Sequence, residues 1–138
     1  MSPRQSGRTQ VCDRHLAKVR LDDAYAQREL AEVGSLEDSP AGQKAATSCA
    51  VLAGIAASDA ACCALLGRCS RSSNHADAVS LLKQIVPDGP EAARELERLL
   101  AFKSAAQYGL YNLRGTIVVS SLRQMNTLIA FAERSLGR

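Results

Sequence analysis

The sequence predicts an all-α protein: an antiparallel (up-down) four-helix bundle with one additional short helix. Apolar residues recur at helical spacing along most of the 138 residues, and no stretch alternates convincingly as a strand would. Aromatic residues make up only 4% of the chain and tryptophan is absent, so alanine and leucine must fill the core, which favours closely packed helices over a β-sandwich. We expect one domain over residues 10–138, after a flexible basic tail at residues 1–9.

The first two helices have clear limits. The first is predicted over residues 10–33 and ends at Gly34-Ser35. The second begins at Ser39-Pro40, an N-cap followed by proline at the first helical position, and runs to Leu66 before Gly67 stops it. One apolar face of the first helix is formed by Leu16, Val19, Ala26, Leu30 and Val33.

The remaining helices follow a polar connector at residues 68–74. The third is predicted over residues 75–86, with Asn74 as its cap, and "PDGP" at residues 87–90 breaks the chain. The fourth runs from Glu91 to about Leu113. The fifth follows it with the most regular apolar stripe in the chain: Val118, Leu122, Met125, Ile129, Ala132 and Leu136.

Charge is distributed unevenly along the chain. The first twenty residues carry a net charge of +4 and residues 114–138 carry +3, whereas the segment between them sums to −4. If the two basic ends lie together in space, they form a stripe that attracts phosphate. The alternative is that these charges serve solubility only.

The five cysteines show neither a CxxC pair nor zinc-ligand spacing with histidine. Cys62 and Cys63 are adjacent, which is poor geometry for a bond between them. We expect Cys49, Cys62 and Cys69 to be small buried hydrophobic residues in a reducing compartment. Neither a metal nor a cofactor is expected.

One stretch requires a membrane test. Between residues 45 and 67 the only charge is Asp59, over a length that could cross a bilayer. Alanine, serine, cysteine and glycine gain little from lipid, and a central carboxylate costs about 2.5–3.5 kcal/mol there. With no secretory signal visible, we interpret the stretch as a buried helix of a cytoplasmic protein without membrane contact.

Four polar residues interrupt the apolar stripes: Asp23, Asp59, His75 and Lys103. In one hypothesis Asp59 and Lys103 form a buried ion pair between neighbouring helices, and His75 is a hydrogen-bonded core residue. In the other, these groups converge with Tyr108 on a cleft that binds phosphate or performs acid–base chemistry. Lys103 and Tyr108 lie about 140° apart around a helix, so only a wide groove, such as one across a dimer axis, would let both meet one ligand.

Two segments resemble the HEPN superfamily (higher eukaryotes and prokaryotes nucleotide-binding domain): "NHADAVSLLKQI", where a histidine opens a helix, and "LERLLAFKSAAQYGLYNL". The resemblance covers roughly residues 45–137. It implies a metal-independent ribonuclease site between two protomers, built on an Arg-x(4–6)-His motif. Lys103 stands in place of that arginine and Tyr108 in place of the histidine. Tyrosine, with an ordinary pKa near 10, is a poor general base, and lysine lacks the bidentate hold of arginine on phosphate.

The sequence therefore predicts a HEPN-like homodimer that binds RNA or a nucleotide through a degenerate ribonuclease site, in a toxin–antitoxin or stress-response system. Whether it is an enzyme stays open. One alternative is an active metal-independent endoribonuclease toxin that uses His75 with Arg68, from which six residues separate it, or with Arg71. Another is a non-catalytic interaction or antitoxin-type bundle, with a cognate antitoxin or nucleotidyltransferase as partner. The residues expected at the catalytic position are Lys103, Tyr108 and His75, and those expected to bind ligand are Asp59, which would position Lys103, and Arg68, Arg71 and Asn112.

Overall fold

The computed structural model describes residues 9–71, 75–108 and 115–137, excluding the side chains of residues 104–108. Within these residues the chain is mostly helical, which confirms the all-α prediction. Two short strands, not predicted from the sequence, join the helices. The elements are β1 (Thr9–Val11), α1 (Arg14–Ser35), α2 (Pro40–Leu66), β2 (Arg68–Ser70), α3 (Ala76–Lys83), α4 (Gly89–Tyr108) and α5 (Gly115–Ser135).

Both ends of α2 lie where the sequence predicts them. The Ser39 hydroxyl accepts a hydrogen bond from the N–H of Gly42 at 3.1 Å, with Pro40 at the first helical position. At the other end Gly67 takes a left-handed conformation (φ +70°), and its N–H donates to the carbonyl of Cys63. These signals are local, so the sequence alone was sufficient to define the helix.

The other helix limits differ from prediction. Helix α3 ends at Lys83, and Val86, predicted on its apolar side, lies beyond it with 81% of its surface exposed. Helix α4 begins at Gly89 rather than Glu91, and the described residues follow it to Tyr108. The predicted continuation to Leu113 lies outside the described residues.

Helix α2 is central to the packing, since α1, α4 and α5 all contact it. Its buried positions are mainly alanine, which allows the neighbouring backbones to approach closely. At Gly54 a Cβ atom would lie 2.4 Å from Cδ2 of Leu99 and 3.1 Å from Cδ1 of Leu128, so a larger residue would force these side chains to move where α4 and α5 meet α2. The predicted stripe of α5 packs into this core, with Met125 and Ile129 fully buried.

The apolar face predicted for α1 is not the buried one. Val19, Leu30 and Val33 are 39%, 55% and 61% exposed. A second face, made of smaller residues, packs on α2 instead, because alanine and glycine allow closer helix contact than branched side chains do. Its buried residues are Ala17, Leu21, Ala24, Ala31 and Gly34.

Strands β1 and β2 pair antiparallel, with Gln10 opposite Cys69. The ladder is extended by a hydrogen bond from the N–H of Cys12 to the carbonyl of Gly67. Each strand has only three residues, too few for an alternating pattern to be visible in the sequence. Thr9, placed by the prediction in the flexible tail, is the first residue of β1.

The strand pairing brings Cys12 to the end of α2, where it forms a disulfide with Cys63 (Cα–Cα 5.4 Å). This bond corrects the expectation of a chain with reduced thiols only. Its cause is the strand register, which no cysteine spacing reveals. Cys49, Cys62 and Cys69 are free, as expected, although Cys69 lies in β2 and not on a helix.

Among the described helices, α2 alone is long and apolar enough to cross a membrane. This is weak evidence for a span, because a core helix passes the same test. In the structure 56% of the apolar window is buried inside the molecule, as the interpretation of a core helix expects.

Candidate functional site

A groove between α2 and α4 contains the lysine singled out in the sequence. Its volume is about 340 Å³, and the half-buried Lys103 of α4 lines it together with residues of the first half of α2. The two helices run antiparallel here, since Leu99 faces Gly54 and Lys103 lies one turn further along α4. The α2 residues that line this "lysine groove" are Lys44, Ser48, Val51 and Leu52.

His75 lies within electrostatic range of Lys103. It occupies the N-cap position of α3, makes no side-chain capping hydrogen bond and is half-buried. Burial lowers the pKa of His75, and the nearby Lys103 ammonium lowers it further. The imidazole is therefore held in its neutral form at physiological pH, when one ring nitrogen can accept a proton while the other donates a hydrogen bond.

Asp59 lies elsewhere. It is seven residues beyond Leu52 on α2, about 10 Å along the helix axis. Burial raises the pKa of Asp59 to about 7, although the Arg20 guanidinium and the backbone N–H of Ser70 lower it in opposition. The salt bridges among the described residues include none between Asp59 and Lys103. The hypothesis of a buried ion pair between these two residues is therefore not met.

The other sequence-predicted residues are dispersed or not described. Arg68 begins β2 opposite Val11, and Arg71 is exposed just after that strand. The cation that acts on His75 is Lys103 rather than either arginine. The side chain of Tyr108 and the whole of Asn112 lie outside the described residues.

Asp23, predicted to interrupt a buried stripe, is exposed. Its carboxylate lies 3.8 Å from a guanidinium nitrogen of Arg20, one turn earlier on α1. It takes no part in the lysine groove. The reason is the change of buried face described for α1, which leaves Val19, Leu30 and Val33 of the predicted stripe exposed as well.

Sequence reasoning missed Lys44 and Ser48. A signal was present: Lys44 is the only basic residue of α2, and Ser48 and Leu52 follow it at spacings of four residues, which places all three on one helix face. This face lines a groove only because α4 packs beside it, and the sequence does not reveal that contact.

Within the described residues, the start of α1 and the end of α5 meet, as a phosphate-attracting stripe between the basic ends would require. The Arg14 guanidinium donates a hydrogen bond to the carbonyl of Leu136. This contact joins the start of α1 to the end of α5. It lies near the far end of α2 from Lys44, so the basic ends and the lysine groove are separate features.

No family model, curated protein or solved structure matches this chain. The resemblance to the HEPN superfamily therefore depends on the residues of this sequence alone.

Proposed function

We propose that the chain is a HEPN-like antiparallel four-helix bundle with α3 as an added short helix, and that it binds RNA or a nucleotide in the lysine groove. One observation supports this proposal above all others: Lys44 and Lys103, from different helices, line one groove, and the ammonium of Lys103 also acts on His75.

The groove suits a phosphate ester better than an apolar ligand. Lysine ammonium groups bind phosphate as point charges, while Val51 and Leu52 provide an apolar surface for a base or sugar. The volume of about 340 Å³ lies at the lower end of the range for small-molecule sites, which fits one nucleotide unit. In this arrangement His75 hydrogen-bonds to a phosphate or ribose oxygen, and Asp59 takes no part.

A homodimer is part of the proposal. The apolar stripe of α1 formed by Val19, Leu30 and Val33 is exposed on the monomer, and exposed apolar surface of this kind is typical of protein interfaces. The assignment to a toxin–antitoxin or stress-response system, with an antitoxin or nucleotidyltransferase as a further partner, extends the HEPN resemblance and has no separate structural support.

Binding of a fluorescently labelled single-stranded RNA tests the proposal. Lys103→Ala and Lys44→Ala should each weaken binding about 3–10-fold and reduce the slope of log affinity against log salt by about 0.7. Lys83→Ala is the matched control, because Lys83 is exposed on α3 and pairs with Glu97 at 3.8 Å. If both groove variants bind RNA and nucleotides as tightly as the wild type, the lysine groove is not the binding site.

A second candidate function is metal-independent RNA cleavage. The observation that favours it is the lowered pKa of His75 beside a cation, since a neutral imidazole can deprotonate a ribose 2′-hydroxyl while Lys103 stabilises the developing phosphorane charge. Incubation of RNA with the protein in EDTA should then give products, and His75→Ala should slow their formation about 10²–10⁴-fold. An intact substrate under these conditions leaves the binding function only.

A further inference from the structure

The far end of α2 holds a cluster of sulfur atoms that the lysine groove does not use. The Sγ atoms of Cys12, Cys63 and Cys69 all lie within 4.8 Å of one another. All three residues are buried. They come from three different places in the fold: the residue after β1, the last turn of α2 and the centre of β2. We call them the cysteine cluster.

The backbone around the cysteine cluster is fixed independently of the sulfur atoms. The β1–β2 ladder sets Cys69 opposite Gln10, and Gly67 accepts a hydrogen bond from the N–H of Cys12 through its carbonyl. Helix α2 holds Cys63. Breaking the Cys12–Cys63 bond therefore leaves three thiols close together on a framework that strand and helix hydrogen bonds maintain.

A second observation is that buried polar atoms without a hydrogen-bond partner occur on the segments that carry the cluster. Among the described residues they include Oδ1 of Asp59 and Oγ of Ser70. Asp59 precedes Cys63 by four residues on α2, and positions four apart share a helix face. Ser70 follows Cys69 directly. Unpartnered buried oxygen atoms are unfavourable, and a cation bound between them and the sulfurs would remove this cost.

We propose that the cysteine cluster binds Zn²⁺ in the reduced protein, and that the Asp59 carboxylate, which lies outside the 4.8 Å group of sulfurs in the oxidised structure, moves in as the fourth ligand. Zinc binds thiolates at about 2.3 Å in a tetrahedral site, which places sulfur ligands about 3.8 Å apart. In the oxidised structure the Cys12 and Cys63 sulfurs are bonded to each other, and the Cys69 sulfur lies within 4.8 Å of both, so opening the bond lets the three sulfurs separate to this spacing without leaving the cluster. Zinc also accepts a mixed set of sulfur and carboxylate ligands, whereas calcium and magnesium require oxygen.

Neighbouring side chains supply the outer shell that such a site needs. The side-chain amide of Gln10 donates to Sγ of Cys69 at 3.5 Å, as an outer-shell donor does toward a metal thiolate. Arg20 contributes a positive charge near Asp59 and Cys69. Three thiolates and one carboxylate around Zn²⁺ sum to −2, and the guanidinium reduces this to −1.

Reduction of the Cys12–Cys63 disulfide requires only a dithiol as co-reactant. The dithiol gives two electrons and two protons to the Cys12–Cys63 bond, which breaks to two thiols as the reductant closes its own disulfide. Zn²⁺ then displaces the three thiol protons of the cluster into solvent. A two-electron oxidant, such as the disulfide form of a small thiol, reverses the step: it takes up the two electrons, with two protons from solvent, as the Cys12–Cys63 bond re-forms. Zn²⁺ then leaves and the Cys69 thiolate regains a proton, so the cluster alternates between a covalent and a metal-bound state.

Co²⁺ binding to the reduced, anaerobic protein tests the proposal, because cobalt reports thiolate ligands through a charge-transfer band and tetrahedral geometry through intense visible bands. The wild type should bind one equivalent, which Zn²⁺ displaces, and the oxidised protein should bind none. Cys69→Ser removes a proposed ligand, so it should weaken Co²⁺ binding by more than the roughly 10–100-fold that loss of an outer-shell partner costs. Cys49→Ser, a free cysteine one-half of α2 away, should bind as the wild type does.

A second variant and a second measurement keep the result clear if Cys69→Ser folds poorly. Asp59→Asn retains all three sulfurs and should keep the charge-transfer band while weakening Zn²⁺ binding at least tenfold. Zn²⁺ should also raise the urea midpoint of the reduced wild type, because it binds the folded state.

Reduced wild type with native circular dichroism but no charge-transfer band overturns the proposal. Unchanged affinity in Asp59→Asn overturns the role of its carboxylate. Neither result bears on the lysine groove, whose nearest α2 residue, Leu52, lies about 10 Å from Asp59 and about 16 Å from Cys63 along the helix.

Discussion

The two ends of α2 differ in how they treat polar groups. At the first end, the lysine groove is open, and Lys44 is exposed to solvent. At the second, the cysteine cluster is closed, and the nearby Asp59 is largely buried with an unpartnered oxygen. The comparison teaches that the exposed ammonium of Lys44 keeps its hydration, whereas burial raises the pKa of Asp59 and favours its neutral form. Changes at the closed end should affect stability, and changes at the open end should affect ligands.

The largest effect is expected from the disulfide. Cys12→Ser removes a link between residues 51 apart, and the chain-entropy relation for such a loop gives about 4 kcal/mol. Urea unfolding of oxidised protein in EDTA measures the loss. Dithiothreitol should bring the wild type to the same stability as the variant. Cys49→Ser is the control and should unfold at the wild-type midpoint. Equal stability of oxidised wild type and Cys12→Ser would show that the link does not hold the closed end together.

The buried carboxylate should make stability fall as pH rises. Burial raises the pKa of Asp59 from 3.8 to about 7, so the folded state binds the proton more tightly than the unfolded state. Stability is then fully present below the unfolded pKa and is lost as pH rises through the folded value. The pKa shift limits the loss of folding free energy to about 4 kcal/mol, and solvent screening should reduce that loss to about half.

Asp59→Asn checks this reasoning, because it should raise the free energy of unfolding at pH 8 and change it little at pH 4. The measurement is urea unfolding of oxidised, metal-free protein at both values. Asp23→Asn is the matched control, since that exposed carboxylate faces the same Arg20. A wild type that is equally stable at both pH values would contradict the prediction.

At the open end the expected effect is electrostatic and small. Lys103→Met removes the ammonium that lowers the pKa of His75, so that pKa should rise while burial continues to hold it down. Nuclear magnetic resonance of the imidazole C–H signals across a pH titration measures it. Lys83→Met, at the other end of α3, should leave it unchanged. If both variants titrate as the wild type does, Lys103 does not act on His75.

The smallest effect is a coupling that should be absent. Asp59 and Lys103 were one candidate ion pair. However, Lys103 of α4 packs beside the first half of α2, and Asp59 lies about 10 Å further along α2 than Leu52 of that half. Residues more than about 7–10 Å apart add within about 0.3–0.5 kcal/mol. The free energies of unfolding of Asp59→Asn, Lys103→Met and the double variant should therefore sum within that limit. A coupling above 1 kcal/mol would restore the ion pair and bring the two ends into contact.

Local signals explain what the sequence could predict. The caps at Ser39 and Gly67 define α2 because each acts on its own neighbours in the chain. The apolar stripe of α5 is buried as predicted. His75 and Lys103 were singled out because they interrupt apolar stripes, and the structure brings them together. The finer assignment to a HEPN-like bundle and its ligand stays a prediction.

Long-range contacts explain what it could not predict. Gln10 and Cys69 pair although the whole of α1 and α2 lies between them in the sequence, and the disulfide follows from this pairing. The buried face of α1 was mistaken because a row of larger residues, including Leu30, is more conspicuous than the alanine face that packs. Lys44 lines the lysine groove only because α4, which is distant from it in the sequence, packs beside α2.

The pairing of β1 with β2 has a consequence for the order of folding. Helices α1 and α2 are consecutive and joined by a short turn, so they meet through local contacts, which form quickly. Thr9 and Ser70 lie at opposite ends of that helical hairpin in the chain, and their pairing must close the long loop between them. During synthesis α1 and α2 are made before β2. We therefore expect the hairpin to assemble first and the two strands to fasten it afterwards.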